Sequence, residues 1–309
     1  MRQTVFSAAL PVGESLVVQK NRVYGANRHG PRISVVTGMY GDELEGQFVA
    51  YELAHRLSET PGSLTGVVDI YPALNPLGLS SNERGVPQFD IDLERTFPGN
   101  PDGNLTEALA DAVFKDICGS RACVIIHCSD GHVRELTQVR IDEEDAGDLV
   151  GMACLLNPHI VWARGPQAAS APTLACALNA RGCPAIVVEM GMGMSVDRDA
   201  GLWLVEGILR LLEHLHAWGG PTIALPYPRV VHGDKVCALA APCPGLFLPY
   251  VEHGAHVRKG EVLGVIVDPL DGTSAHEVLA SGDGLLFSLR AHPVVQPGSL
   301  LARILEEQR

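Results

Sequence analysis

The stretch Ile33-Ser-Val-Val-Thr-Gly-Met-Tyr-Gly-Asp-Glu-Leu-Glu-Gly46 reads as a buried strand, a glycine-marked turn and the start of a helix. Ile33 to Thr37 is a short apolar, β-branched run, the pattern of a strand covered on both faces. Gly38 to Asp42 supplies the turn. Glu43 to Leu57 has helical spacing, with Leu44, Phe48, Leu53 and Leu57 near one face. Outward from this unit the alternation repeats. Val67–Tyr71, Ala122–His127, Ile160–Ala163 and Ala185–Glu189 read as strands. Asn104 with Glu107 predicts a capping box for a helix ending at Gly119. Asp197 to Trp218 predicts a long amphipathic helix carrying Leu202, Val205, Ile208, Leu211 and Leu212. Strands alternating with helices imply an α/β fold: a mostly parallel sheet flanked by helices, with ligands at the carboxyl ends of its strands. Tyr40–Glu43 follow one such end, and His127 and Glu189 lie at two others.

Around Pro221–Pro228 the character changes, dividing the chain into residues 1–222 and 223–309. The second part is rich in valine, glycine and proline, has no helical period, and holds a weak internal repeat. Gly245-Leu-Phe is followed by Val257, Gly260, Leu263 and Ile266; Gly284-Leu-Leu is followed by Val295, Gly298, Leu301 and Ile304. Glycine turns between short β segments predict a smaller, pseudo-symmetric all-β domain similar to a barrel-sandwich module. The connecting segment Asp268–Glu277 has no lysine of the kind that carries biotin or lipoate.

The 309 residues, 46% hydrophobic and 19% charged, suffice for a sizeable core. A formal net charge of -13 argues against nucleic acid or an anionic membrane as partner. It leaves open a local arginine pocket for an anion. Met1–Leu10 lacks the pattern of a signal peptide, and no apolar run approaches the roughly 20 residues that span a bilayer. The eight cysteines include no Cys-x-x-Cys pair, and several lie in apolar runs. They read as buried reduced thiols, and the expected location is the cytoplasm.

Four segments carry chemistry: Gly38–Gly46; Asn75-Pro76 with Arg84, then Asp92-Leu-Glu-Arg-Thr-Phe-Pro-Gly99; His127; and Glu189 in Val188-Glu-Met-Gly191. Their order and spacing resemble the succinylglutamate desuccinylase and aspartoacylase family, zinc-dependent amidohydrolases of carboxypeptidase-like fold. That family has a Gly-x-His-Gly-Asn/Asp-Glu turn, an Asn-Pro followed by Arg, Asp-Leu-Asn-Arg-x-Phe-Pro-Gly, a strand ending in Asp-x-His and a later one ending in Glu-x-Gly. The resemblance spans about residues 30–215, and the C-terminal β region resembles the family's also. It implies a mixed sheet and one zinc ion, with Glu43 and His127 as metal ligands. Glu189 becomes the general base, Arg84 the group that polarises the scissile carbonyl, and Arg95 the grip on a substrate carboxylate. The implied partner is a small N-acyl amino acid or similar amide; a homo-oligomer is compatible.

Three positions depart from the family's pattern. Tyr40 stands at the third metal-ligand position, where the family has histidine, and a phenol binds zinc poorly until it ionises. Ile125 replaces a supporting aspartate. Glu94 replaces the asparagine before Arg95, and as a substrate-binding residue it would repel a carboxylate or attract an amine. Asp130 or His132, on the loop after His127, could supply a substitute ligand, whereas strand alternation points Cys128 away. His29 and His55 read as ordinary structural histidines. Two functions stay open: a metal-dependent hydrolase of N-acyl amino acids, and a family member that binds a small anionic or zwitterionic ligand without cleaving it.

Overall fold

The computed structural model describes residues 1–87, 91–143, 146–164, 173–223, 226–232, 235–272 and 275–307. Its first part contains strands β1 (Arg2–Ala9), β2 (Ser15–Tyr24), β3 (Arg32–Val36), β4 (Val67–Tyr71), β5 (Ala122–Cys128), β6 (Val133–Asp142), β7 (Ile160–Arg164) and β8 (Ala185–Gly191). Between them run helices α1 (Glu45–Glu59), α2 (Pro76–Ser81), α3 (Leu105–Ile117), α4 (Ala146–Leu155), α5 (Leu174–Asn179) and α6 (Arg198–His214). The second part is all β: β9 (Arg229–His232), β10 (Val236–Ala240), β11 (Gly245–Pro249), β12 (His256–Val257), β13 (Val262–Val267), β14 (Ala275–Leu279), β15 (Gly284–Arg290), β16 (Val294–Val295) and β17 (Leu300–Glu306).

The expected mixed sheet is present, with β4, β3, β5 and β8 parallel at its centre. β2 and β6 flank this centre antiparallel, and β1 continues from β2. Alternation along the central strands sorts side chains to two faces. Ile33, Val35, Val124 and Ile126 meet Val49 and Leu53 of α1 and Leu204 and Ile208 of α6. Val36, Cys123 and Ile125 face the opposite layer, built by Leu109 and Val113 of α3 and Leu174 and Leu178 of α5. Covering both faces makes such strands apolar throughout, which is why they were legible.

The Asn104–Glu107 capping box forms as the sequence predicts. The last long helix stops at His214 rather than Trp218, where His216 turns left-handed at φ 59°. Leu202, expected on its apolar face, is exposed. No helix among the described residues is long and apolar enough to cross a membrane.

The C-terminal repeat is a swap. Equivalent segments form two rows of four strands, β14-β13-β11-β16 and β10-β17-β15-β12. The first row is the smaller separate sheet. The second is not set apart, because β15 pairs with β6 and β9 with β7, so the main sheet runs on past residue 222. Gly260 and Gly298 hold equivalent turns at φ 81° and 87°, which a residue with a Cβ seldom adopts.

At the far side of the sheet Asp69 of β4 is fully buried among Lys20, Arg22 and Arg32. Arg22 Nε and Nη2 each lie 2.6 Å from its oxygens, and Lys20 Nζ lies at 3.2 Å. Burial alone would raise the Asp69 pKa, but the hydrogen bond from Arg22 and the charge of Lys20 hold it below the usual value. Asp69→Asn leaves Arg22 without its counter-charge, while Lys20 keeps Asp116 at 2.6 Å, and should cost about 3–5 kcal/mol in urea unfolding at pH 7. A depressed folded-state pKa contributes stability above the unfolded pKa of about 3.9 and loses it as pH falls through the folded value. The gap between wild type and variant should therefore narrow below about pH 4; a gap that widens there contradicts the assignment.

Candidate active site

The loop after β3 turns at Gly38, φ 60°, where a Cβ would meet the Pro72 carbonyl and Ala73 at 2.9 Å. This close approach delivers Tyr40 and Glu43 to the carboxyl edge of the sheet. Asn75 holds the next segment. Its Oδ1 accepts from Gly78 N at 2.9 Å, capping α2, and its Nδ2 donates to the Gly85 carbonyl at 2.8 Å. Arg84 is thereby placed with its guanidinium carbon 3.7 Å from the centre of the Tyr40 ring. Its Nη1 lies 3.7 Å from Glu43 Oε1 and 3.8 Å from Asp42 Oδ1. Asp92 caps the short turn Leu93–Thr96 through Glu94 N, at 3.0 Å.

The strand ends supply the other groups. β5 and β8 are parallel with His127 opposite Glu189, so the two side chains emerge at one level. His127 Nδ1 is 2.9 Å from Glu43 Oε2, and both residues are buried. His127 Nε2 is 3.8 Å from Glu94 Oε2. The carboxylate missing at Ile125 is thus replaced from another element, because Glu94 comes from the turn after α2. Glu94 Oε1 accepts from Leu174 N at 3.3 Å, while its buried Oε2 has no hydrogen-bond partner. Burial pushes the Glu94 carboxyl up to about 7. Burial also raises Glu43, an effect that the charge of His127 opposes. The His127 pKa is raised: burial would lower it, but the charge and hydrogen bond of Glu43 prevail, with Glu94 behind.

These residues line one cavity of about 710 Å³, within the usual range for a small-molecule site. Tyr40, Glu43, Arg84, Glu94, Arg95, His127 and Glu189 all contribute to its wall. Arg95 is half exposed, its Nε 3.8 Å from Asp92 Oδ2. His29 and His55 lie outside it. His55 stacks on Tyr51 and pairs with Glu59, an ordinary surface arrangement.

Glu43 and His127 carry donors that zinc accepts. Glu43 Oε2 and His127 Nδ1 share a 2.9 Å hydrogen bond, and two tetrahedral donors at about 2.0–2.2 Å from one ion stand about 3.3–3.6 Å apart, so the pair would open slightly to admit it. Tyr40 does not provide a third. Burial and a hydrogen bond with Asp92 drive its phenol pKa upward, towards the protonated form. Asp130 reaches the cavity wall, but His132 does not. Among the described residues, no three His, Cys, Asp or Glu side chains gather where an ion could sit. Among the described residues Glu43 and His127 supply two donors of the kind zinc takes, one fewer than the three of most catalytic centres.

Sequence reading missed Glu135, Arg140 and Arg303, which also line the cavity, and Gln138, which donates to Glu135 from behind it. Glu135 is buried between Arg140, 2.8 Å away, and Arg303. Arg140 Nη1 lies 3.4 Å from Glu189 Oε1. The available signal was the alternation of Val133, Thr137, Val139 and Ile141 in β6, masked by the polar residues between.

A mixed sheet flanked by helices thus gathers Glu43, Arg84, His127 and Glu189 in one cavity at its carboxyl edge. A model of the succinylglutamate desuccinylase/aspartoacylase catalytic domain matches residues 29–215, and the chain belongs to that family. It is 26% identical to the N-alpha-acetyl-L-2,4-diaminobutyric acid deacetylase of Halomonas elongata over 296 residues, covering 90% of this chain and 82% of that one. A succinylglutamate desuccinylase/aspartoacylase structure from Rhodobacter sphaeroides superposes with TM-score 0.82 at 24% identity, covering 100% of this chain and 95% of the other. The product-bound ectoine utilization protein EutE (DoeB) of Ruegeria pomeroyi gives TM-score 0.81 at 22% identity, covering 97% and 93%. At these identities the structures speak for the fold alone. The family is one of deacylases and amidohydrolases.

If Asn75 clamps the Arg84 segment, Asn75→Ala removes a helix cap and leaves the part-buried Gly85 carbonyl without this donor. The expected loss is about 1–3 kcal/mol in guanidinium unfolding. A loss under about 0.5 kcal/mol would show the clamp to be dispensable.

Proposed function

We propose that the chain hydrolyses the amide of a small N-acyl amino acid, with Glu189 as general base. The observation that carries this reading is the level placement of His127 and Glu189, with Glu43 and Arg84 beside them in one cavity. Glu189 would take a proton from the attacking water and return it to the leaving amine. Arg84, held over Tyr40 and beside Glu43, is placed to donate to the acyl oxygen as negative charge develops. Arg95, half exposed at the cavity wall, suits the substrate carboxylate. Glu94, with its unpartnered oxygen at the wall, favours a substrate with an amine over one with a second carboxylate. N-acetyl-L-2,4-diaminobutyrate, the substrate named for the Halomonas relative, has both groups.

We assign zinc as the cofactor, held by Glu43 and His127. Bound zinc supplies a Lewis acid that acidifies water and polarises an acyl oxygen. With two protein donors its affinity should be lower than that of a three-donor centre. Tyr40→His should raise zinc affinity roughly tenfold or more in calorimetric titration, since imidazole needs no deprotonation at pH 7. Tight stoichiometric zinc in the wild type, with no gain from histidine, would overturn the two-donor account.

Turnover is tested on a panel of N-acetyl-L-2,4-diaminobutyrate, N-acylaspartate and N-succinylglutamate. Glu189→Gln should lower kcat on the order of 10²-fold or more while the fold and metal content persist. Unchanged turnover rejects the general-base assignment. The Tyr40 phenol favours a second reading, a family member that binds such ligands without cleaving them. Tight binding across the panel without product would select it.

A further inference from the structure

We propose that Arg303, on the C-terminal strand β17, is a positioning residue for Glu189 and acts through Glu135 and Arg140. The inference rests on the reading of Glu189 as general base.

The geometry is a cross-strand row. Arg303 of β17 pairs in register with Ser288 of β15, and Ser288 pairs with Glu135 of β6. β6 in turn runs beside β8, which carries Glu189. Arg303 must therefore reach across two strand spacings, about 10 Å, to meet Glu135. An extended arginine can span this distance, and the small buried Ser288 between them leaves the path clear. Arg303 Nη1 contacts Glu135 Oε1. The other oxygen, Oε2, accepts from Arg140 Nη2 and from Gln138 Nε2, each at 2.8 Å.

A carboxylate gripped at both oxygens has one orientation. Glu135 is 1% exposed, so no bulk water competes for it. The guanidinium of Arg140 is a rigid planar fork, and fixing one nitrogen fixes the other. Its Nη2 is set by Glu135 and its Nη1 faces Glu189 Oε1 at 3.4 Å. Without Arg303, Glu135 is held from one side, and its two arginines no longer balance across it. Arg140 can then close on the vacated oxygen and draw away from Glu189. A displaced base costs rate more than binding, since the proton transfer needs its geometry while the substrate is gripped elsewhere.

The test compares wild type with Arg303→Met, Glu135→Gln and the double variant, using any N-acyl amino acid of the panel that is turned over. Each single variant should lower kcat roughly 10- to 100-fold with KM within about twofold, and the double variant should lose no more than the worse single one. Arg303→Met placed in Glu189→Gln should cause no further loss. A crystal structure of Arg303→Met should show Arg140 out of hydrogen-bonding reach of Glu189. If Arg303→Met does not fold, Glu135→Gln answers the same structural question. Retention of the 3.4 Å Arg140–Glu189 approach in these variants overturns the proposal, as does a multiplicative loss in the double variant. Full turnover by Glu189→Gln instead overturns the general-base reading, and the crystal structure still decides whether Arg303 sets Arg140.

Discussion

The register between β5 and β8 sets His127 beside Glu189, and the charged side chains of the cavity are arranged around that pairing. An ionisable side chain at the end of an apolar strand is costly unless partnered. The partners arrive from every direction. Glu43 comes from the loop after β3, Glu94 from the turn after α2, and Arg140 from β6. The strand ends create the demand, and loops that could otherwise vary are bound to meet it.

Whole-chain charge is a poor guide to such a site. The sequence carries a net charge of -13, and among the described residues five arginines and six acidic residues line the cavity. Many of them are already engaged with one another, so the wall combines both signs in fixed positions. Departures from the family pattern also make sense as a group. The Tyr40 phenol lies beneath the Arg84 guanidinium, and Glu94 brings a carboxylate near His127 where Ile125 has none.

The central strands and their helices were legible because both faces are buried, and a continuous β-branched run cannot easily be anything else. The same holds for the capped helix α3, whose terminus is written in Asn104 and Glu107. Glu43, His127, Glu189, Arg84, Arg95 and Glu94 were found through motif order, and all reach one cavity. β6 escaped notice because Glu135, Gln138 and Arg140 are polar yet point inward to the site's own network. The burial of Glu135 is balanced in part by Arg303, 168 residues away, and no local window includes both. β1 and β2 were missed for a different reason: they lie at the sheet's margin, where no residue of β1 is buried and half of them are exposed.

The interleaved C-terminal rows have a consequence for the order in which the molecule can be completed. Each row takes two strands from the first half of the repeat and two from the second. Neither half can close its own layer, so a nascent chain released only as far as β13 has two partial edges and no finished neighbour. The layer that joins the main sheet needs β17, which ends at Glu306. Domains emerging from a ribosome normally settle in the order of synthesis. Here the α/β layers can gather early, but one wall of the cavity waits for β17, whose Leu300 and Arg303 line it, so the centre is assembled well after the strands that carry His127 and Glu189 have emerged.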